Sequence, residues 1–347
     1  MKRARRIVLC DRSATRVRAL RWFLDHDADV EVAAVFGEVG AMQPQLTQIA
    51  PDLVVLDLET AGAEAAAAIG AMMKEGPWPI LLIGGSGEED ARLGDALAAG
   101  ALEAIPRDRL RLDEPEGVWA TALRSRIKRL ASVRLGRHGG EERASKPATP
   151  RPWRSPTATY RAVGIGASVG GPPALARILG QLPGDFPLPV LVVQHMAAGF
   201  GDGLAKWLDQ SVPASVSLAT DGAILQPGVW MAPENAHLRL EPTMRLSLDY
   251  KTERGAHRPS LDVLFESMAS SAGEGAVGIV LTGMGRDGAE GIRAIGEAGG
   301  LTIAQDEETS AVFGMPAAAI ESGVDLVLPL EELASRLAML RARSAVR

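Results

Sequence analysis

The chain has one cysteine, Cys10, among its 347 residues. No internal disulfide can form, and no metal site can be built on paired thiolates. Missing too is any run approaching the roughly 18 apolar residues of a membrane span, so helical membrane insertion is not expected. The apolar stretch at 7–10 that follows Lys2, Arg3, Arg5 and Arg6 stops at Asp11, too early for a secretory leader. An excess of one charge is also lacking: 37 Lys and Arg stand against 43 Asp and Glu, a net −6. Nothing global therefore draws the chain to nucleic acid or to an acidic lipid surface. Together these absences point to the cytoplasm.

What is present is a globular composition, 46% hydrophobic and 23% charged. Disorder over most of the length is excluded, and the length fits about two domains. Charge is unevenly distributed. Between Arg124 and Arg154 ten basic residues meet two acids, Glu141 and Glu142, so that segment carries +8 and the remainder −14. Its second half, rich in Gly, Pro, Ser and Thr, has linker composition. The expected domains are residues 1–130 and 159–347, joined by a basic flexible linker over 131–158. That strip reads either as a solvated hinge or as a contact that docks one acidic body on the other.

Short apolar runs at 6–10, 30–35, 53–56, 80–83 and 104–105 read as strands, and 14–24 has the spacing of an amphipathic helix. The C-terminal body repeats the pattern with strands at 162–165, 190–193, 277–281, 301–304 and 326–328. Strand alternating with helix implies parallel sheets covered on both faces. Between 215 and 249 the PGVW segment and short alternating runs at 237–240 and 245–249 read as antiparallel hairpins. The expected fold class is α/β, with two doubly wound domains, the second a mostly parallel sheet with an antiparallel hairpin.

Three strand ends of the second domain carry chemistry. The run Val163-Gly164-Ile165-Gly166-Ala167-Ser168-Val169-Gly170-Gly171-Pro172-Pro173 takes a buried strand through small residues into a helix opened by prolines. Ser168 then lies near a helix N-terminus, where N–H groups stabilise negative charge. The same glycines invite a dinucleotide reading, but Val169 stands where the third glycine of the fingerprint belongs, and no acid follows the second strand. His195 follows the next strand, and Asp287 follows a third in Thr282-Gly283-Met284-Gly285-Arg286-Asp287-Gly288. Serine, histidine and aspartate at three ends of one sheet can converge as nucleophile, base and orienting group, although each type is also common in loops. Arg258-Pro259-Ser260-Leu261-Asp262 reads as a helix start with Ser260 as N-cap, with a substrate contact from Arg258 as the alternative. Met315-Pro316 reads as packing and a turn.

The motifs GIGASVGGP, VVQHM, MAPENAH, RPSLDVLF, LTGMGRDGAEG and AQDEETSAVFGMPAAA resemble, in the same order, those of the bacterial chemotaxis protein-glutamate methylesterases. The likeness covers 159–345. It implies a serine esterase that hydrolyses glutamate methyl esters on the cytoplasmic helices of methyl-accepting chemoreceptors, some members also deamidating glutamine there. It further implies Ser168 as nucleophile, His195 as base, Asp287 as orienter and the Met284 backbone N–H at the oxyanion, with the start of the 171–180 helix assisting. No cofactor and no metal are implied. Val169 departs from the family, which usually has a hydroxyl or small residue after the nucleophile.

The first domain resembles a flavodoxin-like response-regulator receiver, with Asp57 at the phosphoacceptor position and a chemotaxis histidine kinase as the implied partner. A working receiver needs two acids after its first strand, a hydroxyl after its fourth and a lysine after its fifth. Here Asp11-Arg12, Gly84 and Arg107 stand at those places. A domain independent of phosphorylation is expected, with Arg12 either swung into solvent or turned inward to pair with Asp57. Two other readings stay open: a signalling scaffold with a catalytically silent hydrolase fold, and a nucleotide-binding protein using the 164–171 glycines.

Overall fold

Runs of branched aliphatic residues without polar alternation form strands buried on both faces. In this computed structural model they do so in two compact units, Met1–Gly140 and Glu141–Arg347. The structure describes residues 3–84, 91–110, 116–133, 135, 159–196, 199–254 and 257–342. The linker expected over 131–158 falls almost wholly outside the described residues.

In the first unit five parallel strands, β1 (Arg5–Cys10), β2 (Val30–Phe36), β3 (Leu53–Asp57), β4 (Ile80–Ile83) and β5 (Glu103–Ile105), stand in the order β2-β1-β3-β4-β5. This is the flavodoxin-like order, which places ligands at the carboxyl ends of β1 and β3. Asp57 ends β3 there, and Asp11 follows β1. The helix Ala14–Asp25 starts just beyond, capped by Ser13, whose Oγ accepts the Arg16 N–H. Its first turn therefore carries Arg16 toward the same edge.

The second unit is built on a seven-stranded sheet. Its chain-order strands are β6 (Thr159–Tyr160), β7 (Ala162–Ala167), β8 (Pro189–Gln194), β9 (Val216–Leu218), β10 (Gly228–Met231), β11 (His237–Leu240), β12 (Leu246–Asp249), β13 (Ala276–Val280), β14 (Leu301–Gln305), β15 (Leu326–Leu328) and β16 (Arg341–Ala342). The order in the main sheet is β15-β14-β13-β7-β8-β10-β9, while β11 with β12 and β6 with β16 form separate pairs. The expected hairpin over 237–249 is antiparallel, as its alternation indicates. The PGVW segment is not: β10 runs parallel to both β8 and β9. Here the proline–glycine pair opens a strand at the end of a crossover instead of closing a hairpin.

The central strand β7 shows how the sequence positions the site. Period-two alternation sends Val163, Ile165 and Ala167 to one face, where they join a core with Leu175, Ile178 and Leu208. The opposite face holds Gly164 and Gly166, packed beneath the helix Leu261–Ala272. A Cβ on Gly166 would overlap the Leu261 side chain, and one on Gly164 would come within 2.8 Å of Phe265. These glycines let a helix lie close to the sheet, a packing role that leaves no room at that face for a dinucleotide. The close approach also brings the N-terminus of that helix to the sheet edge where β7, β8 and β13 end.

Candidate active site

The chain leaves β7 toward β8 on one side and returns to β13 on the other, so β7 and β13 flank a topological switch point, the usual ligand crevice of an open parallel sheet. Ala167 of β7 pairs with Gln194 of β8, which sets Ser168 beside His195. The His195 N–H donates to Ala167 O at 2.9 Å, and the Ser168 N–H donates to Thr282 O at 3.0 Å. Ser168, His195, Met284 and Asp287 thus meet at one edge, as the motifs lead one to expect. Asp57 belongs to the other unit.

His195 Nε2 lies 2.8 Å from Asp287 Oδ2, with both side chains largely buried. The N–H direction is out of line for a full hydrogen bond, and the buried Nδ1 has no protein partner among the described residues. Loose geometry of this kind is common before substrate binds. No hydrogen bond links Ser168 Oγ to the imidazole among the described residues. The ring of His257 stacks on that of His195, centroids 4.2 Å apart and planes 10° from parallel. A groove of about 470 Å³ opens beside Asp287 and His257, lined also by Arg254, Asp262, Arg286 and Glu290.

Asp287 is the most heavily anchored group of the site. Its Oδ1 accepts from Ser260 Oγ at 2.8 Å and the Asp262 N–H at 3.1 Å, and its Oδ2 accepts the Leu261 N–H at 2.7 Å. Burial opposes its charge, but His195 and these donors outweigh burial and hold the carboxyl below the usual carboxylate range. The helix Leu261–Ala272 is therefore capped by Asp287 from a distant loop. Ser260 occupies the N-cap position without capping through its side chain, which corrects the local reading of that serine. Arg258 donates to Tyr250 O and Thr252 O. Met315 and Pro316 are buried and open the helix Met315–Glu321, in line with packing and a turn.

The loop after Ser168 is held from three directions. Gln194, buried at the end of β8, donates through Nε2 to Ser168 O and to His195 O, both at 2.8 Å, and so ties the two backbones together. Thr282 Oγ1 donates to Val169 O at 2.9 Å and accepts the Val312 N–H at 2.9 Å. Gln305 Oε1 accepts the Thr282 N–H at 2.8 Å. Gly283 allows the Thr282–Met284 turn to touch the serine, since a Cβ there would lie 2.8 Å from Ser168 Cβ. The Met284 N–H donates to no group among the described residues. The start of the helix Gly171–Leu179 offers less than expected: the Gly171 N–H is spent on Ser168 O at 2.9 Å, and Pro172 and Pro173 have no N–H. Glu234 in turn fixes the segment after His195 by accepting the N–H groups of Gly199, Phe200 and Gly201. Gln194, Thr282 and Glu234 stand inside the quoted motifs, but apart from the Gln194–His195 contact their partners are 23 or more residues away, so spacing alone carries no signal of these roles.

Asp57 of the first unit is fully buried and saturated. Its Oδ2 accepts the Thr60 N–H and Oγ1, both at 2.9 Å. Its Oδ1 meets Arg107 Nη2 at 2.9 Å and Arg16 Nη2 at 3.0 Å. Arg16 also grips Asp11 through Nε and, at 2.8 Å, through Nη2. The inward arginine is therefore Arg16. Arg12 points outward, two-thirds exposed and 3.9 Å from Glu59. The receivers that the first unit resembles in sequence ordinarily take Mg²⁺ on their acids. Here a guanidinium bridges both carboxylates, so the residues present do not fit the ion.

Comparison with known proteins gives a consistent picture. A family model described as CheB methylesterase matches residues 163–337. A protein-glutamate methylesterase/protein-glutamine glutaminase 2 of Anaeromyxobacter dehalogenans is 41% identical over 331 residues, 94% of each chain. One of the same name from Cupriavidus metallidurans is 40% identical over 338 residues, 96% of this chain and 98% of its own. Among solved structures, the Thermotoga maritima CheB methylesterase catalytic domain is 38% identical with a TM-score of 0.50, over 52% of this chain and 98% of that one.

Proposed function

The chain belongs to the CheB methylesterase family, and on that premise we propose that it is a protein-glutamate methylesterase and protein-glutamine glutaminase whose substrates are the cytoplasmic helices of methyl-accepting chemoreceptors. We assign catalysis to Ser168, His195 and Asp287. The observation that carries the assignment is the 2.8 Å approach of Asp287, locked by the helix N-terminus, to His195 Nε2. That contact leaves Nδ1 as the ring nitrogen available to the serine on the neighbouring strand end.

The chemistry follows from this arrangement. Neutral His195, carrying its proton on Nε2 toward Asp287, accepts the Ser168 proton on Nδ1 as Oγ attacks the ester carbonyl carbon. The carbonyl electron pair moves onto oxygen, and we assign the Met284 N–H to receive it. Collapse breaks the acyl–oxygen bond, and the methoxide leaves with the proton from His195 as methanol. Water then attacks the acyl-enzyme with His195 again as base, releasing the glutamate side chain and restoring Ser168. With a glutamine substrate the leaving group is ammonia.

Release of methanol from methylated receptor membranes tests this reading, and its absence with the folded wild-type chain would favour a silent scaffold. We further propose the divisions 1–130, 131–158 and 159–347, and a cytoplasmic location. No helix among the described residues is long and apolar enough to cross a membrane. Asp57 we read as a phosphoacceptor position without a working pocket, so that a histidine kinase, if one docks, has nothing to phosphorylate there.

A further inference from the structure

The hydroxyl at a helix N-cap normally accepts one of the first free N–H groups of the helix. Ser260, at the head of Leu261–Ala272, has given that role up. Asp287 accepts the Leu261 and Asp262 N–H groups, and the Ser260 hydroxyl donates to Asp287 Oδ1 at 2.8 Å. Ser260 is 1% exposed, and its own N–H donates to His237 Nδ1 at 3.0 Å. His237 is fully buried and directs Nε2 to Thr252 O, also at 3.0 Å. A ring whose Nδ1 accepts an N–H and whose Nε2 faces a carbonyl is the neutral Nε2–H tautomer. Burial, which pushes the His237 pKa down, agrees with that state.

We propose that Ser260, anchored by His237, is a positioning residue for the reaction: its hydroxyl fixes the rotation of the Asp287 carboxylate so that Oδ2 faces His195. The proposal rests on the triad assigned above. Without that hydroxyl, Oδ1 retains, among the described residues, only the 3.1 Å bond from the Asp262 N–H. The carboxylate, held then chiefly by the Leu261 N–H at 2.7 Å, would be free to rotate, and the 2.8 Å approach of Oδ2 to His195 Nε2 would no longer be fixed. The loss is expected on the step in which the imidazolium forms, because the Ser260 hydroxyl is buried and spent on Asp287 Oδ1.

The test uses the full chain with Ser260→Ala, Ser260→Thr and Ser168→Ala, assayed by methanol release. The alanine variant is expected to lose roughly tenfold to a hundredfold in kcat, the weight of one hydrogen bond to a charged group, with KM within about twofold. Threonine keeps the hydroxyl and suits the extended backbone at φ −110°, ψ 136°, so it should return to within a few fold of wild type. The ring N–H resonance of His195 should shift in the alanine variant and stay at its wild-type position with threonine. Where alanine unfolds the protein, Ser260→Cys, similar in shape but a weak donor, must show the same kcat loss. A wild-type kcat and unshifted resonance in the alanine variant overturn the proposal, as does a loss confined to KM or a threonine variant no better than alanine. Ser168→Ala separates the two readings: if it still turns over, the triad itself falls; if it is dead while Ser260→Ala runs at the wild-type rate, only the role of Ser260 falls.

Discussion

A serine hydroxyl attacks an ester at neutral pH only if its proton has somewhere to go, and Ser168 contributes little else to this protein. It is half-buried, and its contacts to the fold run through backbone atoms. Ser168→Ala should therefore fold normally and lose at least about a thousandfold in methanol release, the cost of deleting a triad nucleophile. Turnover near wild type would remove the serine from the mechanism. The neighbouring Asp262 behaves differently. Burial pushes its carboxyl up to about 6, against the bond it accepts from the Gly291 N–H and with help from the Asp287 charge. A carboxyl raised in the fold contributes stability that is complete below its ordinary value and lost as the pH rises through about 6. Asp262→Asn keeps an acceptor for Gly291 and never ionises. Its melting temperature should exceed that of wild type at pH 8 and converge with it near pH 4; a constant offset across that range would refute the assignment.

At the scale of elements, the site depends on how closely one helix approaches one strand. Leu261, Phe265 and Met268 fill the space left by Gly164 and Gly166, and each such buried side chain contributes about 1.5–3 kcal/mol. Gly166→Ala forces its Cβ into the Leu261 side chain, an overpacking that costs about 1–3 kcal/mol. Because Leu261 also donates its N–H to Asp287, the shift should lower kcat as well as the melting temperature. An alanine variant less stable but fully active would show that the helix start does not control Asp287. The strand–glycine pattern was legible in the sequence, yet it served two readings. Only the helix packed on it excludes the nucleotide.

At the scale of the whole molecule, the two units have separate sheets, and the second has its own cores on both sheet faces. A fragment beginning near Thr159 keeps β6 and every residue of the triad, so it should fold. Exposed charge pairs contribute only about 0–1 kcal/mol each, so loss of the +8 strip should cost the catalytic unit little, and the fragment should be at least as active as the full chain. A well-folded fragment with much lower activity would make the first unit an activator. That unit should not take a phosphoryl group. Its acids are held by Arg16 and Arg107, and Gly84 offers no hydroxyl. Incubation with acetyl phosphate and Mg²⁺ should leave the intact mass unchanged. An added phosphoryl group that disappears in Asp57→Asn would show that the arginines yield to the ion.

The presence of the parallel strands in each unit, the edge on which Ser168, His195 and Asp287 gather, and the replaced receiver positions were legible in local runs and motifs, because a parallel strand announces itself by uniform apolarity and its carboxyl end by the residues that break it. Other features depended on contacts that no local pattern encodes. Arg16 looks like any cation on an amphipathic helix until β1 and β3 pair and turn Asp11 and Asp57 toward it. The parallel direction of β10 was hidden by a proline–glycine pair that signals a turn in isolation. Ser260 reads as its own helix cap because sequence shows only neighbours. That Asp287, 27 residues away, displaces it is decided when the glycines of β7 admit the helix and bring its free N–H groups within reach of the carboxylate.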